Sequence, residues 1–357
     1  MRLNPGWPLA AAAFLLAPWA LAQSTPSPAL LILSKTDHTL AIVDPTSLKV
    51  VARVPVGNDP HEVVASSDGK TAYVSNYGFG AYHTLAVVDL VAQKPKAAID
   101  LGALRGPHGL VFREGKVWFT AEAAKAIGSY DPATGTIDWI MGTGQNRTHM
   151  LYVFPDAKGI LTTNVNSATV TVMDKTEGRA GGPPPGGMRG AGVPPGPPPG
   201  PPGGDWQLTV VPVGRGSEGF DVSPDLKEAW VANAGDGTIS IIDVAAKRVT
   251  ATLAANVPGA NRLKFTPDGR LVLVSAGPDF VVIDAATHKE VKRLRTGRGS
   301  GGVLVRPDGL RAYEACSPDG YVTVIDLKTL SVVGHIDAGG NPDGLAWAER
   351  QGAGSSQ

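Results

Sequence analysis

An aspartate closes an alternating apolar run seven times along this chain, at Asp44, Asp89, Asp131, Asp174, Asp243, Asp284 and Asp326, at a spacing of 41 to 45 residues except across one interval. Residues 56–89 show the unit in full. A Gly/Pro lead-in precedes an apolar run at 61–65, a turn at Ser67-Asp68-Gly69, an alternating run at 71–75, a loop, and a second alternating run that ends on Asp89. Apolar and β-branched residues recurring with period two between turn residues spell short antiparallel strands. One meander cannot bury both of its faces, so copies at this period must stack around an axis. The expected fold is all-β: a seven-bladed β-propeller of four-stranded antiparallel blades.

The two ends of the chain share a blade in this reading. Residues 30–34, 39–44 and 50–54 match the second, third and fourth strands of a unit, which leaves the first unit without an inner strand. Residues 341–347 match an inner strand and are followed only by a polar tail. Pairing the two closes the ring and leaves no open sheet edge. Six complete units lie between, at about 57–101, 102–143, 144–213, 214–254, 255–295 and 296–337. The long interval, from Asp174 to Asp243, holds a Pro/Gly-rich insert at 178–204 that cannot bury apolar surface and reads as a disordered loop. It is a tolerated insertion or a proline-rich ligand for a partner. The domain plan is a signal peptide at 1–22, one propeller at 23–349 and a tail at 350–357.

Arg2 followed by an apolar run at 9–21 and by Ala20-Leu21-Ala22 describes a cleaved secretory signal, too short to span a bilayer. An uncleaved anchor is the rival reading. The mature protein is expected to be periplasmic or secreted, monomeric, and not integral to a membrane. Lys+Arg and Asp+Glu both number 32, and this balance without a basic stretch argues against nucleic acid as a partner. Cys316 is alone, so no internal disulfide is expected, and no Cys-x-x-Cys-His site for a c-type haem occurs.

Function in a repeat protein should show where aligned positions differ. Six residues before each first turn stands a ring of His61, His108, His149, Glu218, Asn261, Gly301 and Asp343, at the expected mouth of the channel. Three of the 7 histidines fall in register in consecutive units. They are a candidate site for metal or ligand, or else turn histidines. A second ring aligns Lys35, Asn76, Glu122, Asn164, Asn233, Ala276 and Cys316, where the asparagines read as turn formers and Glu122 as a carboxylate able to orient an imidazole or share a metal. Loops at the mouth carry Arg105, Arg147, Arg215, Arg262 and Arg298, whose planar forks suit a small anionic ligand. Tyr77, Phe79, Tyr82 and His83 offer an aromatic wall. The seven closing aspartates read as Asx turns.

The repeats "TAYVSN", "AWVANAGDGTISIIDVAAKRVTATL" and "YVTVIDLKTLSVVGHI" resemble the YVTN-repeat propellers over about residues 30–347. That family includes lactonase-like enzymes, periplasmic and surface binding proteins, and domains with redox cofactors. One blade, "GPHGLVFREGKVWFTAEAAKAIGSYDPATG", is also similar to the streptogramin (virginiamycin B) lyases. That resemblance implies His108 as catalytic base and Glu122 as a metal-linked carboxylate, although an extra alanine precedes Glu122. Three functions follow as expectations. The first is an exported propeller binding a small anionic ligand or a periplasmic protein partner through His61, His108, His149, Arg105, Arg147, Arg215, Arg298, Glu218 and Tyr82. Here a divalent metal ion would be held by His61, His108, His149 and Glu122, and nitrogen-rich ligation suits zinc, copper or nickel better than magnesium. The second is a metal-dependent lactone-opening lyase or hydrolase. The third is an accessory to a redox enzyme.

Overall fold

The computed structural model describes residues 24–176, 205–299 and 301–350, and its strands form seven four-stranded antiparallel sheets. The segment at 1–22 expected to be a signal peptide and the insert at 178–204 lie outside the described residues. The sheets are the blades of the expected propeller. Blade 1 is built from both ends of the chain, with Pro342–Ala348 as its inner strand against Ala29–Ser34, followed by Thr39–Asp44 and Lys49–Pro55. Leu30 pairs with Trp347 and Ile32 with Leu345, so the ring closes as the two incomplete units require. The inner strands of blades 2 to 7 are Pro60–Ala65, Pro107–Arg113, Thr148–Val153, Ser217–Val222, Ala260–Phe265 and Val303–Val305. Each packs against the next around the axis. Among the described residues no helix is long and apolar enough to cross a membrane.

The core lies between blades. Leu31, Leu33, Leu40 and Ile42 of blade 1 pack against Val63, Ala72, Val74 and Val88 of blade 2, and Leu30, Ile32, Ala41 and Val43 pack on the other side against Tyr313, Val322 and Val324 of blade 7. Alternation along a strand therefore serves two interfaces, which is why the middle strands are buried on both faces. Glycines on the inner strands let neighbouring strands approach. A Cβ on Gly109 would stand 2.6 Å from the His149 carbonyl oxygen, and one on Gly344 would stand 2.5 Å from that of His61.

The aspartates behave as Asx turns at six of their seven sites. Asp44, for example, accepts from the Thr46 amide at 2.9 Å, and Asp326 from the Thr329 amide at 2.7 Å. Asp89, Asp131, Asp243 and Asp284 accept in the same way from amides two or three residues on. Asp174, which precedes the insert, pairs instead with Lys247 of the next blade.

Candidate functional site

Six of the seven inner strands carry a β-bulge over the ring position: the register shifts between Pro60 and Val63, Pro107 and Leu110, Thr148 and Leu151, and Ser217 and Phe220 in blades 2 to 5, and likewise between Ala260 and Arg262 in blade 6 and between Pro342 and Leu345 in blade 1. A bulge re-aims the side chains it contains. In blades 2 to 5 it holds His61, His108, His149 and Glu218. Their backbone is fixed by a hydroxyl relay between blades. Ser75 accepts from the Glu62 amide and donates to the His108 carbonyl at 2.9 Å. Thr120 accepts from the Gly109 amide and donates to the His149 carbonyl at 2.6 Å, and Thr163 accepts from the Met150 amide and donates to the Glu218 carbonyl at 2.9 Å. Each hydroxyl thus bolts one blade's bulge to the next.

The three imidazoles form a column. Ring centroids of His61 and His108 are 4.8 Å apart and those of His108 and His149 3.9 Å apart, with Tyr77 packed on His61 at 4.7 Å and on His108 at 5.1 Å. His108 and His149 are 2% and 1% exposed. His149 is bracketed by carboxylates: Nδ1 is hydrogen-bonded to Glu122 Oε1, and Nε2 lies 2.8 Å from Glu218 Oε2 as an ion pair without the alignment of a hydrogen bond. Glu122 Oε2 accepts from the Tyr77 hydroxyl at 2.5 Å and lies 3.6 Å from Arg147 Nε, while Arg147 donates to Glu218 Oε1 at 3.0 Å. The nearest ligating atoms of His108, Glu122 and His149 all fall within 4.8 Å of one another.

Electrostatics divide the column. Burial pushes His108 well below the ordinary imidazole range, helped by the neighbouring His149 and His61, so the ring is neutral and its Nδ1 is buried without a partner. Burial alone would lower His149 as well, but the Glu122 and Glu218 carboxylates outweigh it and raise the group. Burial would raise Glu218, yet His149, Arg147 and Arg262 hold it down at about 2. The two carboxylates around His149 thus favour positive charge at this point of the column.

His61 belongs to a neighbouring set. Lys35 donates to its Nε2 at 3.0 Å, Asp59 lies 3.4 Å from its Nδ1, and Lys35 also donates to Asp343 at 3.2 Å. Burial would raise Asp59, but His61 and Lys35 hold it at about 2. His61 adjoins His108, but its Nε2 is committed to Lys35 and it is not among the three converging ligands. Glu62, beside it, pairs with Arg262 of blade 6 across the channel, and both are buried.

The arginines expected at the mouth separate into two kinds. Arg147 and Arg262 face the cluster. Arg105 donates outward to the Ala81 carbonyl, while Arg215 and Arg298, 80% and 77% exposed in their side chains, pair locally with Asp236 and Asp319 at 2.7 Å and 2.6 Å. Tyr82 is exposed at the outer side of its loop, next to the glycine-rich turn at Gly78. The second ring needs a correction of register. Strand pairing aligns Asn76, Asn164 and Asn233 with Ser34 and Ala121, so Lys35 and Glu122 stand one residue further on, level with Tyr77. One residue in a strand reverses the side chain's direction. The asparagines point into their own blades, as Asn233 does toward Thr238 and Ser240, each at 2.9 Å. Lys35, Tyr77 and Glu122 instead reach the histidine of the following blade. Sequence reasoning placed Tyr77 only as a wall, set Lys35 in the second ring without a role, and passed over Asp59 and the hydroxyl relay. The relay had a signal, since Ser75, Thr120 and Thr163 precede the aligned strand ends of blades 2 to 4.

A scan against protein-family models gives no match, and neither does a search of curated protein sequences. Among solved structures, a functionally unknown protein from Desulfotomaculum acetoxidans matches with a TM-score of 0.71 at 12% identity, over 91% of this chain and 100% of that one. Kuenenia stuttgartiensis hydrazine synthase matches at 0.66 and 17% identity, over 88% of this chain and 99% of that one. A protein described as a putative 6-phosphogluconolactonase from Bacteroides uniformis matches at 0.68 and 14% identity, over 90% and 99%. At these identities the likeness is one of fold, and the fold is a β-propeller whose structural neighbours carry different functions.

Proposed function

We propose that this chain is an exported β-propeller, of the YVTN type its repeats resemble, that holds one divalent transition-metal ion at the mouth of its channel through His108, His149 and Glu122. The observation that carries the reading is the convergence of those three buried ligands within 4.8 Å. A tetrahedral ion at nitrogen distances of about 2.0–2.1 Å would need ligand atoms about 3.3 Å apart, so the widest separation in the triad, 4.8 Å, would have to close by about 1.5 Å. The charge balance also favours a cation over an anion. Asp59, Glu62, Glu122, Glu218 and Asp343 face the cluster against Lys35, Arg147 and Arg262. A bound ion would supply the positive charge that the Glu122 and Glu218 carboxylates favour at His149. Two imidazoles and one carboxylate suit zinc, copper or nickel. Glu218, Tyr77 and Arg147 supply the outer contacts that orient the ligands.

Three protein ligands leave a coordination position open, and a small anion would bind there directly to the ion. The same open position supports a second reading, lactone opening by a metal-bound water, which the one-blade likeness to streptogramin lyases also favours. Metal analysis of protein purified without a histidine tag tests the first reading. Close to one equivalent of metal per chain is expected, with its loss when His108 and His149 are both replaced by alanine. Substoichiometric metal, together with no rise in Tm on adding Zn²⁺, Cu²⁺ or Ni²⁺, would overturn it. Turnover of a lactone by the metal-loaded protein, absent after chelation, separates the enzyme from the holder.

A further inference from the structure

On the far side of the Glu62–Arg262 bridge the channel widens into a cavity of 380 Å³ to which all seven inner strands contribute. Its walls mix polar surface with apolar side chains that include Val63, Leu110, Phe112, Leu151, Leu345 and Trp347. Five charged residues line it: Glu62, Asp221, Arg113, Arg262 and Lys264. Glu62 takes up Arg262, and Lys264 lies 3.5 Å from Asp221. Arg113 has no carboxylate partner among the described residues, and its Nε is buried without a hydrogen-bond acceptor. The five charges thus leave one positive charge over, on the half-buried Arg113, with Tyr152 beside it.

We propose that this chamber is a second binding site, separate from the histidine cluster, for a small organic monoanion with an apolar body, such as an aromatic or branched-chain carboxylate. The volume is that of small-molecule sites, which run to about 300–1,000 Å³ and combine apolar walls with few polar groups. Arg113 is half-buried and has no carboxylate partner, and a carboxylate accepting from its fork would supply the acceptor that its buried Nε lacks; the Trp347 Nε1, also buried without a partner, is a second donor on the same wall. Arg113 takes the carboxylate while the side chains around Phe112 and Trp347 enclose the body. The Glu62–Arg262 bridge closes the chamber toward the metal-ligating histidines, so the two sites fill independently.

The test is a calorimetric titration of the full chain with benzoate, isovalerate, benzyl alcohol and benzylamine. Saturable binding of one carboxylate per chain is expected, with the neutral alcohol and the amine weaker by roughly tenfold or more, as the loss of a charged hydrogen bond implies. Arg113→Met should weaken benzoate by a similar factor, and Asp221→Asn, which removes an opposing charge, should strengthen it. The His108→Ala/His149→Ala variant should bind benzoate as the parent does. Absence of saturable binding by both carboxylates, equal binding of benzylamine, or unchanged binding in Arg113→Met would overturn the site. So would loss of benzoate in a folded double-histidine variant. If Arg113→Met fails to fold, the ranking of the four compounds on the parent chain decides alone.

Discussion

Blades 2 to 4 and blades 6 to 7 place polar side chains at equivalent depths and treat them in opposite ways. In the first arc Ser75, Thr120 and Thr163 are each bonded on both sides, and the buried Glu122 is tied to His149, Tyr77 and Arg147. In the second arc Ser275 stands at the same strand position as Ser75, yet its hydroxyl, that of Thr296 and both oxygens of the fully buried Glu314 make no well-aligned hydrogen bond. The two hydroxyls lie close enough to Glu314 to act on its carboxyl, but among the described residues no cation or amide holds it. The difference teaches that burial does not mark the site. Pairing does: Glu122 is held by His149, Tyr77 and Arg147, whereas Glu314 is a carboxyl whose ionisation desolvation opposes.

The largest expected effect of breaking this contrast is at Glu122. Removing one partner of a buried ionic set leaves the others uncompensated and typically costs about 3–5 kcal/mol. Glu122→Ala should therefore lose stability on that scale in urea denaturation of the metal-free protein, and should also lose the metal. A loss confined to metal binding, with stability unchanged, would mean that His149 simply gives up its proton and the set is not coupled.

Glu314 should respond with the opposite sign. Burial raises its carboxyl to about 7, with the Ser275 and Thr296 hydroxyls pulling it down and Asp279 adding to the rise. The native state then holds a proton that the unfolded chain has released between about 4.5 and about 7, so stability falls as pH rises through that window. Above it the full penalty, on the order of 3 kcal/mol, is present. Glu314→Gln should be more stable than the parent at pH 8 by about that amount and nearly equal to it at pH 4. Parallel stability curves for the two proteins across this range would show that Glu314 ionises in the folded state as readily as in the unfolded chain, and that burial does not raise it.

How much of this was legible in the sequence follows from what repeats. Seven aspartates at one spacing and an orphan strand at each end carry the fold and its closure, because every copy repeats the same turn chemistry. The ring of His61, His108, His149 and Glu218 was visible for the same reason, as departures at an aligned position. What alignment could not carry was direction. Lys35 and Glu122 appear level with the asparagines when residues are counted from the turn. One extra residue before the strand end turns both toward the next blade, and only backbone pairing reveals it. Likewise, Arg105, Arg215 and Arg298 share a position with one another but spend their forks on local acceptors. A count of loop arginines does not say where guanidinium groups point. Cross-channel pairs such as Glu62 with Arg262, 200 residues apart, leave no periodic trace at all.

The smallest effects should be found at the rim, where the two arcs ought to behave alike. Arg215 in blade 5 and Arg298 in blade 7 make the same local motif: the side-chain Nε and the residue's own amide both donate to one aspartate, Asp236 or Asp319. Replacing the arginine by alanine removes an exposed ion pair and keeps the amide bond, so Arg215→Ala and Arg298→Ala should each shift Tm by less than about 2 °C. Replacing the aspartate removes both contacts and frees a backbone N–H, so Asp236→Ala and Asp319→Ala should each cost more than their arginine counterparts. None of the four should alter metal content, because none reaches the imidazoles. If Arg298→Ala or Arg215→Ala instead abolishes metal binding, the rim arginines take part in the mouth after all. The division between an inward-facing pair, Arg147 and Arg262, and an outward-facing set would then fail.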